Sequence, residues 1–300
     1  MKAKRKYNLS LLLLCVPGLI HLFIFSYLPM CGIIIAFKDY VPLKGLFASE
    51  WCGLDNFKFF FTSQDAVRTI RNTVLYSIAF LVFDLFFGVL MALLLYNLRS
   101  KRSVKVYHTI ILIPRFMSIV IISFMAYAFL SPSNGVLNGM ITFFGGEAVK
   151  WYSEAKYWPV ILSVVHIWAG LGGGCLYYYA ALTSVDTSLF EAADIDGANV
   201  LQKTWYISVP EMVPMMVIST ILGIGGLFSG DMGLFYQVPR DRGLLYETTD
   251  IINTYTYRAL LGGSLEKSAA VGLFQSLIGF FLVVGTNQIV RKISPENSMF

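Results

Sequence analysis

IRNTVLYSIAFLVFDLFFGVLMALLLY, residues 70–96, decides the fold class. Beyond Arg71 its single charged side chain is Asp84. A run of about 18 or more apolar residues with few charges is long enough to cross a ~30 Å hydrocarbon layer as a helix. Outward from it, similar runs fill residues 9–37, 107–130, 157–183, 212–228 and 269–290, making six predicted spans. The whole chain carries the same signal. Its 300 residues are 56% apolar and 14% charged, whereas a soluble domain is about a quarter charged. The class is therefore all-α: a polytopic membrane protein with six transmembrane helices.

The basic start MKAKRKY followed by apolar residues resembles a secretory signal peptide. However, the apolar stretch runs on to Phe37 with no A-x-A cleavage site. It reads as an uncleaved first helix, with Pro17 and Pro29 expected to bend it. Sidedness follows from bases near the span ends. Lys2, Lys4, Arg5 and Lys6 precede the first span, Arg99, Lys101, Arg102 and Lys105 crowd the short loop after the second, and Arg291 and Lys292 follow the last. Both termini are thereby expected in the cytoplasm, in a bacterial cell membrane. In the loop after the first span, Asp39, Glu50, Asp55 and Asp65 offset the bases. The net charge of +5 is read as this asymmetry and not as a nucleic-acid surface. Cys15, Cys31, Cys52 and Cys175 form no CxxC pair and no expected disulfide. The expected organisation is a first helix and outer loop (1–69), a five-helix core (70–290) and a tail (291–300). The stretch GLLYETTDIINTYTYRALL, 243–261, is amphipathic, suited to the outer surface or to packing on the bundle.

The loop between the fourth and fifth spans reads SLFEAADIDGANVLQKTWYISVPEM, residues 188–212. Leu189, Ala192, Ala193, Ile195 and Ala198 make a small, apolar helical face, and Glu191, Asp194 and Asp196 keep the other side polar. Gly197 is able to take positive φ and end the helix. Leu201, Trp205 and Ile207 form a second apolar face, and Pro210 is expected to close the segment before the next span. The prediction over 184–211 is a cytoplasmic helix–turn–helix hairpin parallel to the membrane.

Glu191, Ala192, Ala193, Gly197, Ile207 and Pro210 stand at the spacing of the EAA motif of ABC importer permeases, which this loop resembles; Val209 replaces that motif's Leu. NLRSKRSVKVYHTIILIPRFMS, YAFLSPSNGVLN and DIINTYTYR are similar to permeases of the carbohydrate-uptake branch. The resemblance implies a type I (MetI-like) permease bundle and binding-protein-dependent sugar transport by alternating access. Glu191, Ala192, Ala193, Asp196, Gly197, Ala198, Ile207 and Pro210 would form the coupling helix that docks on an ATPase. The implied partners are a second, similar permease completing a heterodimer, two cytoplasmic ATPase subunits, an external solute-binding protein, membrane lipid and an oligosaccharide cargo. The chain contains no G-x-x-x-x-G-K-[ST] phosphate loop, so it is not read as an enzyme; ATP and Mg are expected on the partner ATPases and no cofactor on this chain.

Sugars are held by aromatic faces and hydrogen-bonding groups, which makes Phe116, Tyr127, Trp168 and Tyr178 the lining candidates. Gly170, Gly172, Gly173 and Gly174 let another backbone or a ligand approach the fourth span. Tyr177, Tyr178 and Tyr179 point about 100° apart, so at most two line a pathway. His166 is read as a packing or hydrogen-bonded histidine. Neither a metal-ligand set nor a nucleophile–base pair can be assembled from His21, His108 and His166, which argues against a membrane-embedded enzyme. A secondary transporter or channel would need mid-membrane ionisable groups, and Asp84, Arg115 and His166 are the available ones. Counting from the loop that joins their helices puts Asp84 at ~18 Å and Arg115 at ~12 Å depth. They are expected either to pair or to share a polar cavity; otherwise Arg115 reaches the inner surface and Asp84 bonds another helix.

Overall fold

The computed structural model describes residues 9–98, 100–293 and 295. Lys2, Lys4, Arg5, Lys6 and Arg99, which carry part of the sidedness reading, lie outside the described residues, as does most of the tail. Among the described residues, five helices are long and apolar enough to cross a membrane: Leu13–Phe37, Gln64–Tyr96, Ala155–Thr183, Val200–Gly225 and Leu265–Lys292. The third span is not the single helix expected over 107–130. It is two pieces, Lys101–Phe116 and Ile119–Leu130, bent by 98°. Pro114 stands just before the break and, lacking an N–H, cannot bond the Ile110 carbonyl; Ile113 stays helical (φ −51°, ψ −50°) and the chain turns extended at Met117. Ile113–Phe116 tightens into a 3₁₀ turn, Met117 N–H donates to the Pro114 carbonyl, and Ser118 caps the next helix by accepting from Val120 N at 3.3 Å.

Two other prolines are accommodated without a break. Phe23–Tyr27 and Thr204–Ser208 are π turns standing just before Pro29 and Pro210. In each, the residue preceding the proline donates to the carbonyl five positions back, Leu28 to Phe23 and Val209 to Thr204. The wider turn makes room for a ring that would otherwise press on the carbonyl four residues earlier.

The described residues within 1–63 and 256–274 form one compact unit, and those within 64–255 and 275–300 the other. In the first unit the exposed first span leads into a two-residue antiparallel ladder, with Lys38 opposite Trp51 and Asp39 opposite Glu50. Lys38 is buried, its Nζ donating to the carbonyls of Leu46 and Phe47. Asn56 ties Asp55–Thr62 to this ladder through the Ala36 and Lys38 carbonyls.

In the second unit Gln64–Tyr96 and Trp158–Thr183 pack along one another. Bare glycines allow the approach. A Cβ on Gly88 would lie 2.9 Å from the Tyr178 ring, and one on Gly172 would lie 2.6 Å from the Ile111 carbonyl oxygen. One core joins Tyr76, Phe80, Trp158 and Leu162 with Leu234, Phe235, Leu245 and Ile251 from the segment after the fifth span. That segment therefore packs on the bundle and does not lie free on the outer surface. Asp250, fully buried, accepts from Arg68 at 2.7 Å and from Thr254 at 2.8 Å; a buried carboxylate needs such partners. Asn72 donates to the Glu247 and Asp250 carbonyls, and Tyr76 to that of Thr248. Burial pushes the Tyr152 phenol up to about 12, against the opposing pull of Arg240 and Arg242.

Candidate coupling segment and transmembrane cavity

Asp186 starts the helix Thr187–Ile195 by accepting from the Ser188 N–H at 3.0 Å, and that bond holds its carboxyl below the usual range. Asp186 is exposed. The helix ends in a Schellman turn. Ala198 N–H reaches the Ala193 carbonyl, Gly197 N–H reaches that of Asp194, and Gly197 sits at φ +76°. A capping box follows at once: Asn199 accepts from Gln202 N–H at 2.9 Å, and Gln202 accepts from Asn199 N–H at 2.8 Å. Lys203 Nζ lies 2.6 Å from Asp194 Oδ1 and braces the two arms. Phe190 packs toward Tyr96 with ring centroids 5.6 Å apart, anchoring the segment to the second span.

The structure corrects the expected hairpin in its second arm. Residues from Val200 run on as helix through Pro210 to Gly225, so this arm is the start of the fifth span and not a separate helix parallel to the membrane. Pro210 lies inside that rod, at the first turn after the π turn, and not at a boundary. Glu191, Ala192, Asp196, Gly197 and Pro210 are exposed, whereas Ala193, Ala198 and Ile207 are partly covered. Ile195 is 87% exposed, and Leu189, Leu201, Trp205 and Tyr206 are exposed too, interspersed with the charges of Glu191, Asp194, Asp196 and Lys203.

Inside the bundle, a cavity of about 290 Å³ is walled by the second, fourth and fifth spans and the break in the third. Asp84, Arg115, His166, Tyr177, Tyr178, Ser219 and Thr220 line it. Asp84 and Arg115 thus share a cavity, but among the described residues they form no ion pair. The partner of Asp84 is His166, with Nε2 to Oδ1 at 3.0 Å. His166 is fixed by stacking on Phe80, ring centroids 3.8 Å apart and planes within 8°. Sequence reasoning missed this contact because depth along a hairpin says nothing about which way a side chain faces. Only the i, i+3 and i+4 neighbours of His166 on a third helix mark its direction.

The four lining candidates are not brought together. Tyr178, 3% exposed, lines the cavity and bonds Ser219 Oγ at 2.7 Å. Tyr177 lines it too, while Tyr179 turns toward His108, as three successive helical residues must diverge. Trp168 faces a separate apolar hollow with Phe129, Leu137 and Val164. Tyr127 lies beneath the Arg240 guanidinium, 4.2 Å from its ring centre, and packs on Tyr152. Phe116, at the break, is exposed. The glycine run serves two purposes: Gly172 meets the third span, whereas Gly170, Gly173 and Gly174 leave bare backbone beside Asp84 and Arg115.

Comparison with known proteins agrees with this architecture. Protein LplB of Bacillus subtilis is 35% identical over 98% of this chain and 92% of its own length. The polygalacturonan/rhamnogalacturonan transport system permease protein YteP of the same organism is 35% identical over 95% of this chain and 89% of its own. The crystal structure of a bacterial ABC transporter involved in the import of the acidic polysaccharide alginate superposes with a TM-score of 0.88 at 30% identity, covering 96% of both chains. A second structure of an alginate transporter, in complex with an alginate pentasaccharide-bound periplasmic protein, gives 0.87. Residues 84–295, more than half of the chain, match the family described as binding-protein-dependent transport system inner membrane component. The chain belongs to that family: it is a membrane-spanning permease component of a binding-protein-dependent transport system.

Proposed function

We propose that this permease carries an oligosaccharide derived from polysaccharide breakdown, and that partner ATPases drive it through the segment 187–206. The observation that carries the reading is the uncovered surface of Glu191, Ala192, Ile195 and Leu201, held rigid by a Schellman turn and a capping box. Such caps stabilise any helix; here they also hold exposed side chains in one geometry, as a docking surface needs. In this reading the segment and both termini face the cytoplasm, and ATP and Mg bind two separate ATPase subunits. A second, similar permease completes the pathway, and an external binding protein delivers cargo. Support for a carbohydrate cargo comes from relatives whose names specify polygalacturonan/rhamnogalacturonan and alginate, and from the hydroxyls and aromatic rings lining the cavity. At about 290 Å³ the cavity is at the low end of the ~300–1,000 Å³ of ligand pockets, room for one sugar ring of a chain at a time.

The test is ATP hydrolysis by the reconstituted transporter with cargo-loaded binding protein. Gly197→Pro forbids φ +76° and deletes the donor to Asp194; Glu191→Arg inverts the docking charge. Each is expected to leave the permease inserted and to drop stimulated hydrolysis to the basal rate. Normal stimulation in both variants would remove the coupling role.

A further inference from the structure

Within the cavity the acid and the base are treated differently. Asp84 is engaged by His166, which its stack on Phe80 holds in place. The Arg115 guanidinium has no hydrogen-bond or ion-pair partner among the described residues. Its Nε lies 3.5 Å from where a Cβ on Gly173 would stand, and Asp84 Oδ1 lies 3.7 Å from the same point on Gly170. Those glycines are three residues apart and share a helix face. Arg115 and Asp84 therefore flank a strip of naked backbone about one turn long, bordered by Tyr177, Ser219 and Thr220.

Both side chains are exposed in this chain, open to whatever fills the cavity, and ionisable residues set among membrane-spanning helices mark substrate pathways. An arginine's planar fork of donors complements a two-oxygen anion, and a carboxylate fits it bidentately. Asp84 Oδ2 meanwhile stays open to accept from a hydroxyl. We infer that the cavity is a subsite for a sugar ring bearing a carboxylate, with Arg115 taking the carboxylate and Asp84 a ring hydroxyl. The glycine strip allows the ring to lie against backbone, and the one-turn spacing keeps the cargo anion away from Asp84. This rests on the oligosaccharide reading above and narrows it to acidic oligosaccharides.

The experiment is equilibrium binding to the purified transporter complex in nanodiscs, without binding protein. The probes are oligogalacturonate and its methyl ester of equal length, which lacks the negative charges and carries a methyl in place of each. The intact complex is expected to bind the acid about tenfold or more tighter than the ester, the scale of one hydrogen bond to a charged group. Arg115→Gln should bring that ratio to about one by weakening the acid alone, and Arg115→Lys should restore part of it. Unchanged ester binding reports that the variant is folded. Equal affinity for both probes in the unaltered complex would overturn the charge inference and leave the oligosaccharide reading standing, as would a ratio that survives Arg115→Gln. Failure of both oligomers to bind would sink the reading itself, and this inference with it.

Discussion

At the scale of single residues, two glycines two positions apart carry different burdens. A methyl on Gly172 would meet the Ile111 carbonyl at 2.6 Å, a backbone atom that cannot swing aside, whereas one on Gly174 meets only ordinary contacts at 3.6 Å. Gly172→Ala is therefore expected to destabilise the permease by about 1–3 kcal/mol, as overpacking does. Gly174→Ala should be neutral or mildly stabilising through helix propensity. Thermal unfolding of the two purified variants in one detergent checks the contrast; equal midpoints would contradict the packing described. The glycine run was legible in the sequence as a site of close approach, but not which glycine meets which neighbour. The same gap explains the polar centre. Asp84 stands out from any reading of residues 70–96, since the bilayer penalises it. Its bond to His166, 82 residues away, depends on how two helices face, which hydropathy does not encode.

At the scale of elements, the motif loop was read correctly at its first helix and turn, because Gly197 and the small residues before it are local signals. Its second arm was misjudged because Pro210 looks like a terminator. A proline ends a helix only if the preceding turn cannot widen, and Thr204–Ser208 does widen. Pro114 had the opposite outcome: nothing in its spacing separates it from Pro210, yet the third span bends by 98° just after it. The capping box makes a prediction of its own. Asn199→Ala removes the acceptor for Gln202 N–H, at a cost of about 1 kcal/mol, or roughly fivefold in local opening. Amide exchange over residues 200–204 should accelerate by that factor, while exchange in the Gln64–Tyr96 helix stays unchanged. Unaltered exchange at 200–204 would show the cap to be dispensable.

At the scale of the whole molecule, sidedness is the property that the family assignment leaves to measurement. Leu244 is 71% exposed, whereas its neighbour Leu245 is fully buried, so 244 is the position to label. In a cysteine-free background, a cysteine at 244 should react with an impermeant maleimide added outside, and one at exposed position 102 only after the inner face is opened. The reverse pattern would invert the topology and put the motif loop outside. For the segment 243–261, packing on the bundle was one of two readings, but its partners were not legible, because the contacts that bury it, Arg68 with Asp250 and Asn72 with Glu247, join residues more than 170 apart. The fifth span has a mechanical consequence. Its 26 residues from Val200 to Gly225 form one rod, ~39 Å long at 1.5 Å per residue. No slack loop lies between the exposed end at 200–206 and Ser219, whose hydroxyl meets Tyr178 at the cavity wall. A displacement of one end is carried to the other along continuous helix, whose hydrogen-bond ladder widens at the π turn 204–208.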